Sequence, residues 1–340
     1  MNKLVTVLMS VHNEKREYLQ TAISSIVAQT YKNIEFLIID DASDSECHEI
    51  LEEIIRPYPY IKLMVNEKNI GITKSLYNGV KQAQGDFIAR MDADDFSLPS
   101  RLETQVRFLE ENPRIDILGG AVVSFGAKSV FMSPCSGMDD DEIKSELFFT
   151  SALCHPAVMI RKSFLQQYNL NYDQNVNKGQ DYDFWERCSV YGRFTILKDV
   201  VLYYRIHDKQ ITSQNKSEQV QTAEMVMKRR LCRIGLEPTA EEYKAHLALK
   251  GTSNYDNLTQ VKDWAEKLIT ANAQAGLVDG KTFEKNIRKR LSIFCAKHKK
   301  VRGRDVIPLL QYGKERIAIM FRLKRERVYV SQIDERKCLF

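Results

Sequence analysis

Acidic side chains follow apolar segments at points where their spacing suits cation binding or proton transfer. Asp92, Asp94 and Asp95 come directly after the apolar segment 86–91. In the D-x-D pattern Asp92-Ala93-Asp94, two carboxylates stand two residues apart, and such a pair can hold a hard divalent cation that keeps several waters. The cation would also relieve the repulsion among these like charges. A solvated turn explains the same acids without an ion, so D-x-D by itself is a weak signal.

A second acid with a chemical interpretation is Asp181, which lies near the aromatic residues Phe184 and Trp185. A carboxylate against aromatic rings can have a raised pKa and serve as a general base. Asp183 and Arg187 have the i, i+4 spacing of a surface ion pair on a helix. The alternative for Asp181 is a helix N-cap.

Two histidines flank apolar segments later in the chain that are predicted as strands. His155 precedes one such segment, and His207 follows another, where it is a candidate to reach a metal or a diphosphate. A purely structural role is the alternative for both side chains.

The pair Asp40-Asp41 closes the apolar segment 35–41. A carboxylate there can accept a hydrogen bond from a base imide or a ribose hydroxyl, and the alternative is capping of a helix at 46–56. The sequence contains neither a G-x-G-x-x-G after its first strand nor a G-x-x-x-x-G-K-[ST] motif. The absence of these motifs disfavours Rossmann dinucleotide binding and a P-loop.

Alternating strands and helices must position these residues. Strands are predicted at 4–10, 35–41, 61–65, 86–91 and 116–125, and helices at 19–27, 46–56, 72–83 and from about Pro99 to Pro113. Ser100 and Glu103 predict a capping box for the last helix. This alternation predicts an α/β fold with a mostly parallel sheet covered on both faces, and ligands then bind at the carboxyl edge of the strands.

The predicted domain organisation has two parts. Residues 1–215 form a catalytic domain, divided into a nucleotide-binding half, 1–125, and an acceptor half, 126–215. Residues 216–340 form a helical, basic region, with helices predicted at 217–234, 239–249, 257–274, 281–300 and 306–325.

Composition excludes several classes of protein. With 44% apolar and 28% charged residues, the chain is neither disordered nor fibrous. No apolar run approaches the roughly 20 residues of a membrane-spanning helix, and the N-terminal apolar run is too short for a signal peptide, so a cytoplasmic protein is expected. The 7 cysteines are scattered without a C-x-x-C, which disfavours a disulfide framework or a zinc site.

Positive charge is concentrated near the C-terminus. From Lys285 onward there are 17 Lys and Arg against 5 Asp and Glu, although the whole chain carries only +5. Anionic membrane headgroups and nucleic acid are both candidate partners for such a region, and a basic helix face in solvent or packed on a partner is the alternative. Segment 317–330 mixes apolar and basic residues in a way that suits a membrane interface.

Taken together and in order, the motifs are more specific than any one of them. "SVHNE", "AQTYKNIEFLIIDDAS", "NIGITKSLYNGVKQAQGDFIARMDADD" and "GQDYDFWER" resemble the inverting family 2 glycosyltransferases with the GT-A fold, over about residues 3–213. "ARMDADD", "MIRKS", "QDYDFW" and "LYYRIHDKQITS" most resemble bacterial enzymes that add β-1,3-linked N-acetylhexosamine or hexose to lipooligosaccharide and other surface glycans.

The resemblance implies a role for each matching residue. Asp181 corresponds to the catalytic base, and Asp94, with His207, to the ligands of Mn²⁺ or Mg²⁺. Asp41, and after it Asp40, corresponds to the acid that reads the uracil ring. The remaining nucleotide-sugar contacts implied are Ser10, His12, Glu14, Lys74, Asp92 and Ala93, and the acceptor contacts are His155 and Gln180. The family more often has an aromatic residue at His12 and a Glu at Gln180.

The implied function is metal-dependent, inverting transfer of GlcNAc, GalNAc, Glc or Gal from a UDP-sugar to an acceptor glycan, free or lipid-linked, in surface-polysaccharide synthesis. A peripheral position on the anionic inner leaflet fits such an acceptor, no nucleic-acid partner is expected, and the oligomeric state is open. One alternative is a nucleotidylyltransferase, although "SVHNEKREY" lacks the Gly-rich loop that it would need. The other is a non-catalytic glycan- or nucleotide-binding module, which the joint presence of Asp92, Asp94 and Asp181 disfavours.

Overall fold

The computed structural model describes residues 3–126, 132–133, 135–207 and 216–298 of the chain. The predicted helix 306–325 and segment 317–330 lie outside these residues. The chain divides into two compact units. The sheet unit comprises the described residues of Met1–Met138 and Leu153–Thr222, and the helical unit those of Asp139–Ala152 and Ala223–Arg322. Residues 139–152, which the sequence pattern placed in the acceptor half, thus belong with the helices, because α5 (Asp140–Glu146) packs against them.

The sheet unit opens with the predicted alternation of strands and helices. Its elements in order are β1 (Val5–Val11), α1 (Arg16–Val27), β2 (Ile34–Asp40), α2 (Ser45–Ile55), β3 (Ile61–Val65), α3 (Ile72–Gln82) and β4 (Phe87–Met91). The apolar stripe of α1 is buried at Leu19, Ala22, Ile23 and Ile26, as its spacing predicts. Burial of that stripe against the strands stabilises the helix.

The second part of this unit is less regular. It contains β5 (Phe96–Ser97), α4 (Arg101–Glu111), β6 (Ile117–Phe125), a 3₁₀ turn (His155–Ala157), β7 (Met159–Arg161), α6 (Lys162–Gln167), α7 (Gln180–Cys188) and β8 (Phe194–Arg205). The predicted capping box before α4 is wrong. Ser100 has nearly helical backbone angles, φ −90° and ψ 1°, from which its side chain makes no cap bond, and Glu103 accepts from Thr30 Oγ1 at 2.7 Å instead.

Among the described residues, eight strands form one sheet in the order β3-β2-β1-β4-β7-β6-β8-β5. Four neighbouring pairs are parallel and three, which involve β5 or β7, are antiparallel. The predicted α/β fold is confirmed. The apolar strand expected after His155 is present as β7, but its antiparallel pairing and the strand β5 were not predicted, because segments of 3 and 2 residues are too short for a periodic signal. Since β1, β2, β4 and β8 all run in the same direction, their carboxyl ends meet at one edge.

The helical unit contains α5 and the later helices. These are α8 (Lys216–Cys232), whose residues from Ala223 onward belong to this unit, α9 (Ala240–Lys250), α10 (Leu258–Ala275) and α11 (Gly280–Lys297). Its core is built around Trp264, Phe283 and Phe148. Buried His246 donates from Nε2 to the Phe148 carbonyl at 2.9 Å and accepts from Trp264 Nε1 at 3.2 Å, so it is structural. Within the described part of the chain, none of the helices combines the length and apolarity needed to span a bilayer.

Candidate active site

The D-x-D segment lies where β4 leaves the carboxyl edge of the sheet. Asp94 Oδ2 is 3.0 Å from His207 Nε2, and His207 follows the end of β8. Glu14, after β1, brings a third donor, and the ligand atoms of the three side chains lie within 4.8 Å of one another. Burial, and then the charge of Asp92, raise the pKa of Asp94 to about 6, although its bond with His207 opposes this shift.

Asp95 has a different environment from the other two acids of the segment. It is fully buried and accepts from the backbone N–H of Arg205 at 2.8 Å, while its Oδ2 has no hydrogen-bond partner among the described residues. Burial, and then Asp94 and Asp92, raise its pKa. Asp95 therefore ties the segment to β8 and does not face an open site.

Arg205 also holds the D-x-D segment in place. Its Nε donates to the Asp94 carbonyl at 2.7 Å, and its guanidinium lies between the rings of Tyr18 and Phe125, 4.2 and 4.5 Å from their centroids. The Tyr18 ring is also 5.3 Å from that of His207. One buried arginine thus fixes the D-x-D backbone close to the histidine that contacts Asp94.

Asp181 lies in the first turn of α7, which starts after Gly179 in a left-handed conformation, φ 71°. Burial raises its pKa, partly offset by the N–H of Tyr182 and the charge of Arg90, while Asp92 adds to the rise. Gln180, the first residue of α7, is half-buried.

The predicted ion pair on α7 is present, with Arg187 Nε 2.8 Å from Asp183 Oδ2. It is not a surface pair, since the Asp183 side chain is 1% exposed. The aromatic side chains of α7 are buried, and Asp183 is buried with them.

Asp41 organises the loop that follows β3. Its carboxylate is 2% exposed and accepts from the N–H groups of Ile70 and Gly71 and from Asn66 Nδ2, at 2.8–2.9 Å. Gly71 is the N-cap of α3 with φ 86°, a conformation that favours glycine. The predicted contact of Asp41 with a base stays a prediction.

Asp40 supports the start of α2. It accepts from the Ser43 N–H at 2.9 Å and pairs with His48 Nδ1 at 2.7 Å. Burial would raise its pKa, but these bonds outweigh burial and lower it. The N-cap itself is Asp44, which accepts from the Cys47 N–H, so capping is served by residues other than Asp41.

The other predicted nucleotide contacts lie at the same edge. Ser10 is the penultimate residue of β1. Exposed His12 follows the strand, and its Nε2 accepts from Asn69 Nδ2 at 2.8 Å. That bond joins the loops after β1 and β3. Half-buried Lys74 lies in the first turn of α3.

His155 is enclosed by aromatic side chains. Its Nε2 is 2.7 Å from the Tyr172 hydroxyl, and its ring meets Trp185 edge-on at 5.8 Å. Burial, and then Arg90, hold its pKa well below the usual range, so the ring is neutral. Only a small part of His155 is accessible. Its predicted acceptor contact stays a prediction.

Comparison with known proteins identifies the family to which this chain belongs. The family model described as "Glycosyl transferase family 2" matches residues 6–169. A glycosyltransferase of Methanocaldococcus jannaschii is 34% identical over 210 residues, 61% of this chain and 72% of the relative. The chain belongs to glycosyltransferase family 2. The O-antigen biosynthesis glycosyltransferase WbnJ of Escherichia coli is 30% identical over 213 residues, 61% of this chain and 81% of that one.

Solved structures support the fold of this family 2 glycosyltransferase. Residues 1–349 of S. aureus TarS, in complex with UDP-GlcNAc, superpose with a TM-score of 0.59 at 17% identity, over 88% of this chain and 93% of that chain. The same protein in complex with UDP gives a TM-score of 0.56. The sheet with flanking helices and the helical region after it are therefore shared.

Two residues of this glycosyltransferase site were not singled out by their sequence pattern. Arg90 interrupts an otherwise apolar strand, and Arg205 ends another. Both are buried. The available signal was a charge inside a buried strand, which requires an opposite charge nearby.

Proposed function

We propose that this family 2 glycosyltransferase moves a sugar from a UDP-sugar to an acceptor glycan by inverting displacement, with a divalent cation and with Asp181 as base. The observation that carries the proposal is the convergence of Asp94, His207 and Glu14 at one sheet edge, with Asp181 electrostatically coupled to the same edge through Asp92. A UDP-sugar donor is supported by the UDP and UDP-GlcNAc complexes of TarS.

Asp94, Glu14 and His207 fit the proposed cation as ligands. Two carboxylates and an imidazole approach one another closely enough to share an ion. Burial, and then the charge of Asp92, raise the pKa of Asp94, and a cation would balance that charge. Carboxylates suit Mg²⁺ and Mn²⁺, and the imidazole favours Mn²⁺. When bound, the cation supplies charge stabilisation for a departing diphosphate.

The chain's own residues supply the other requirements. In the proposed reaction, Asp181 accepts the proton of the acceptor hydroxyl as that oxygen bonds to the anomeric carbon. The bond from that carbon to the diphosphate breaks, and UDP leaves with the electron pair. One base suffices, because a single displacement forms no covalent intermediate.

Turnover with a donor panel tests this function. Purified protein is assayed for UDP release from UDP-GlcNAc, UDP-GalNAc, UDP-Glc and UDP-Gal, with Mn²⁺, with Mg²⁺ and with EDTA, in the presence of an acceptor glycan series. We expect metal-dependent release with one donor and a new linkage of inverted configuration. Transfer that persists at full rate in EDTA contradicts the metal, and nucleotide transfer instead of sugar transfer supports a nucleotidylyltransferase.

The acceptor proposal concerns surface polysaccharide. WbnJ, which is named for O-antigen biosynthesis, shares 30% identity with this chain. Lipid-linked acceptors of that kind lie at a membrane, and the basic C-terminal region suits an anionic inner leaflet.

A further inference from the structure

Thr73 is a buried polar residue in the first turn of α3. Its hydroxyl donates to the backbone carbonyl of Val176 at 2.8 Å and lies 3.3 Å from the carbonyl of Asn177. A buried hydroxyl is costly without a hydrogen-bond partner. This contact therefore fixes where a segment 103 positions later in the chain lies against the helix.

A second hydrogen bond joins the same helix to the same segment. Asn171 Nδ2 donates to the carbonyl of Tyr77 at 3.1 Å, one turn further along α3. Within the segment, the N–H of Val176 donates to the carbonyl of Asp173 at 3.0 Å, and this turn presents the Val176 carbonyl to α3. Segment 171–178, which precedes α7, is therefore attached to α3 at two points.

Segment 171–178 leads directly into the helix that carries the proposed base. Gly179 follows it in a left-handed conformation, and Asp181 is the second residue of α7. The Tyr172 ring also stacks on the ring of Phe184 in α7, with the centroids 4.4 Å apart. A shift of the segment against α3 therefore moves the turn that carries Asp181.

The start of α3 belongs to the donor side of the proposed site. The N–H of Gly71, two residues before Thr73, donates to Asp41 Oδ2 at 2.8 Å. Asn66 Nδ2 donates to Asp41 Oδ1 at 2.8 Å and to Ser75 Oγ at 3.0 Å. The first turn of α3 is thus held by the acid that is predicted to contact the uracil ring, and Thr73 lies on that turn.

We propose that Thr73 is a positioning residue, whose hydroxyl couples the donor side of the site to the helix that carries the base. A nucleotide that orders the loop before α3 also orders segment 171–178 through this buried hydrogen bond, and with it the start of α7. The proposal rests on the proposed function for the roles of Asp41 and Asp181. Loss of the hydroxyl slows transfer, because a displacement of about 1 Å at a reacting group costs up to about a hundredfold in rate.

Hydrogen exchange tests the coupling without turnover. The amides of residues 171–183 are followed by mass spectrometry in wild type, Thr73→Val and Thr73→Ser, with and without UDP and Mn²⁺. We expect Thr73→Val, which keeps the shape of the side chain, to exchange at least about fivefold faster there, because a buried carbonyl loses its donor. UDP should protect these amides in wild type and in Thr73→Ser, which keeps the hydroxyl, but not in Thr73→Val. Wild-type exchange in Thr73→Val, or no protection in wild type that binds UDP, overturns the proposal.

Thr21→Val is the matched control. Thr21 is also buried, and its hydroxyl donates to the backbone carbonyl of Glu17 at 2.7 Å, but both residues lie in α1. We expect this variant to keep wild-type exchange in residues 171–183 and the wild-type response to UDP. If Thr73→Val does not fold, Asn171→Ala, which removes the second bond to α3, is measured in its place. An equal loss of UDP protection in Thr21→Val overturns the proposal.

Kinetics separate positioning from a merely structural role. We expect Thr73→Val to lower kcat about 10- to 100-fold with the donor KM within about twofold of wild type, and Thr73→Ser to recover most of the loss. A rise in donor KM with unchanged kcat, or no recovery in Thr73→Ser, overturns the proposal. Wild-type protein that turns over no donor overturns the proposed function alone, because exchange without UDP still decides whether Thr73 holds segment 171–178.

Discussion

Asp181 and Asp183 stand two residues apart on α7, but their surroundings give them different tasks. Asp183 is 1% exposed and paired with Arg187, so its charge is balanced by that arginine inside the fold. Asp181 lies at the start of the helix, where burial raises its pKa and Arg90 limits that rise. A general base must be ionised before an acceptor arrives and basic enough to take its proton, and the role proposed for Asp181 depends on both conditions.

Substitution of each acid separates these tasks. We expect Asp181→Asn to lower kcat by about 10²–10⁴-fold, the usual value of a general base, with little change in UDP binding by calorimetry. Asp183→Asn is the matched control and should keep transfer while losing about 1–2 kcal/mol of unfolding free energy, because it weakens a buried ion pair. A near wild-type rate in Asp181→Asn would falsify its role as base.

Substitution of Asp94 tests the proposed cation binding directly. We expect Asp94→Ala to weaken Mn²⁺-dependent UDP binding at least about tenfold, because it removes one of three converging donors. Calorimetric titration of Mn²⁺ in the presence of UDP measures the effect. Glu110→Ala, at an exposed position on α4, controls for the loss of one acidic side chain, and equal Mn²⁺ affinity in the two variants would contradict the assignment.

At the scale of elements, the approach of α3 to the sheet determines where the loop between β3 and α3 lies. Gly79 faces β1 and β2, and a Cβ built there would come within 2.9 Å of Ile39 Cδ1 and still closer to Leu8 Cδ1. The first turn of the same helix carries Lys74, and the loop before it is held by Asp41. Helix packing and the proposed donor pocket are therefore linked.

Gly79→Ala tests this close approach. Alanine in a helix interior normally gains about 1 kcal/mol over glycine, but overpacking against Leu8 and Ile39 costs about 1–3 kcal/mol. We expect a net loss of unfolding free energy of about 1 kcal/mol in urea. Gly280→Ala is the matched control, because a Cβ at this helical position meets nothing within 4 Å, and it should be neutral or stabilising. A stabilised Gly79→Ala would contradict the packing.

At the scale of the whole molecule, the distribution of charge is the main feature beyond the site. The region from Lys285 onward contains 17 Lys and Arg and 5 Asp and Glu, so the rest of the chain is acidic. Each basic residue near an anionic surface contributes about 1 kcal/mol at low salt, and the attraction falls off within a Debye length. A surface enzyme with a lipid-linked acceptor would use such a region for membrane contact.

Sedimentation of the full chain with vesicles measures this contact. We expect binding to vesicles that contain anionic lipid at low salt and release at about 1 M salt, where the Debye length is about 3 Å. Neutral vesicles are the control and should not sediment the protein. Equal binding to both kinds of vesicle, or none to the anionic kind, would contradict an electrostatic membrane contact.

Sequence alone determined the alternation of strands and helices through β6, because apolar periods over 5–12 residues are strong local signals. It also determined that the acids after β1, β2 and β4 share an edge, since parallel strands end together. The sequence did not predict β5 or the antiparallel pairing of β5 and β7, because segments of 2 or 3 residues show no periodicity. The helices assigned to 216–298 were predicted within a few residues.

Only the tertiary structure decided how each acid of the site is compensated. Asp94, Asp95 and Asp92 are close in sequence, yet they meet His207, the Arg205 N–H and Arg90 respectively. Arg205 and His207 are more than 100 positions away, and no local pattern encodes that separation. Which acid contacts His207, which is buried against Arg205 and which pairs with Arg90 depends on charges that the fold brings together, because Coulomb interaction follows distance in space and not position in the chain.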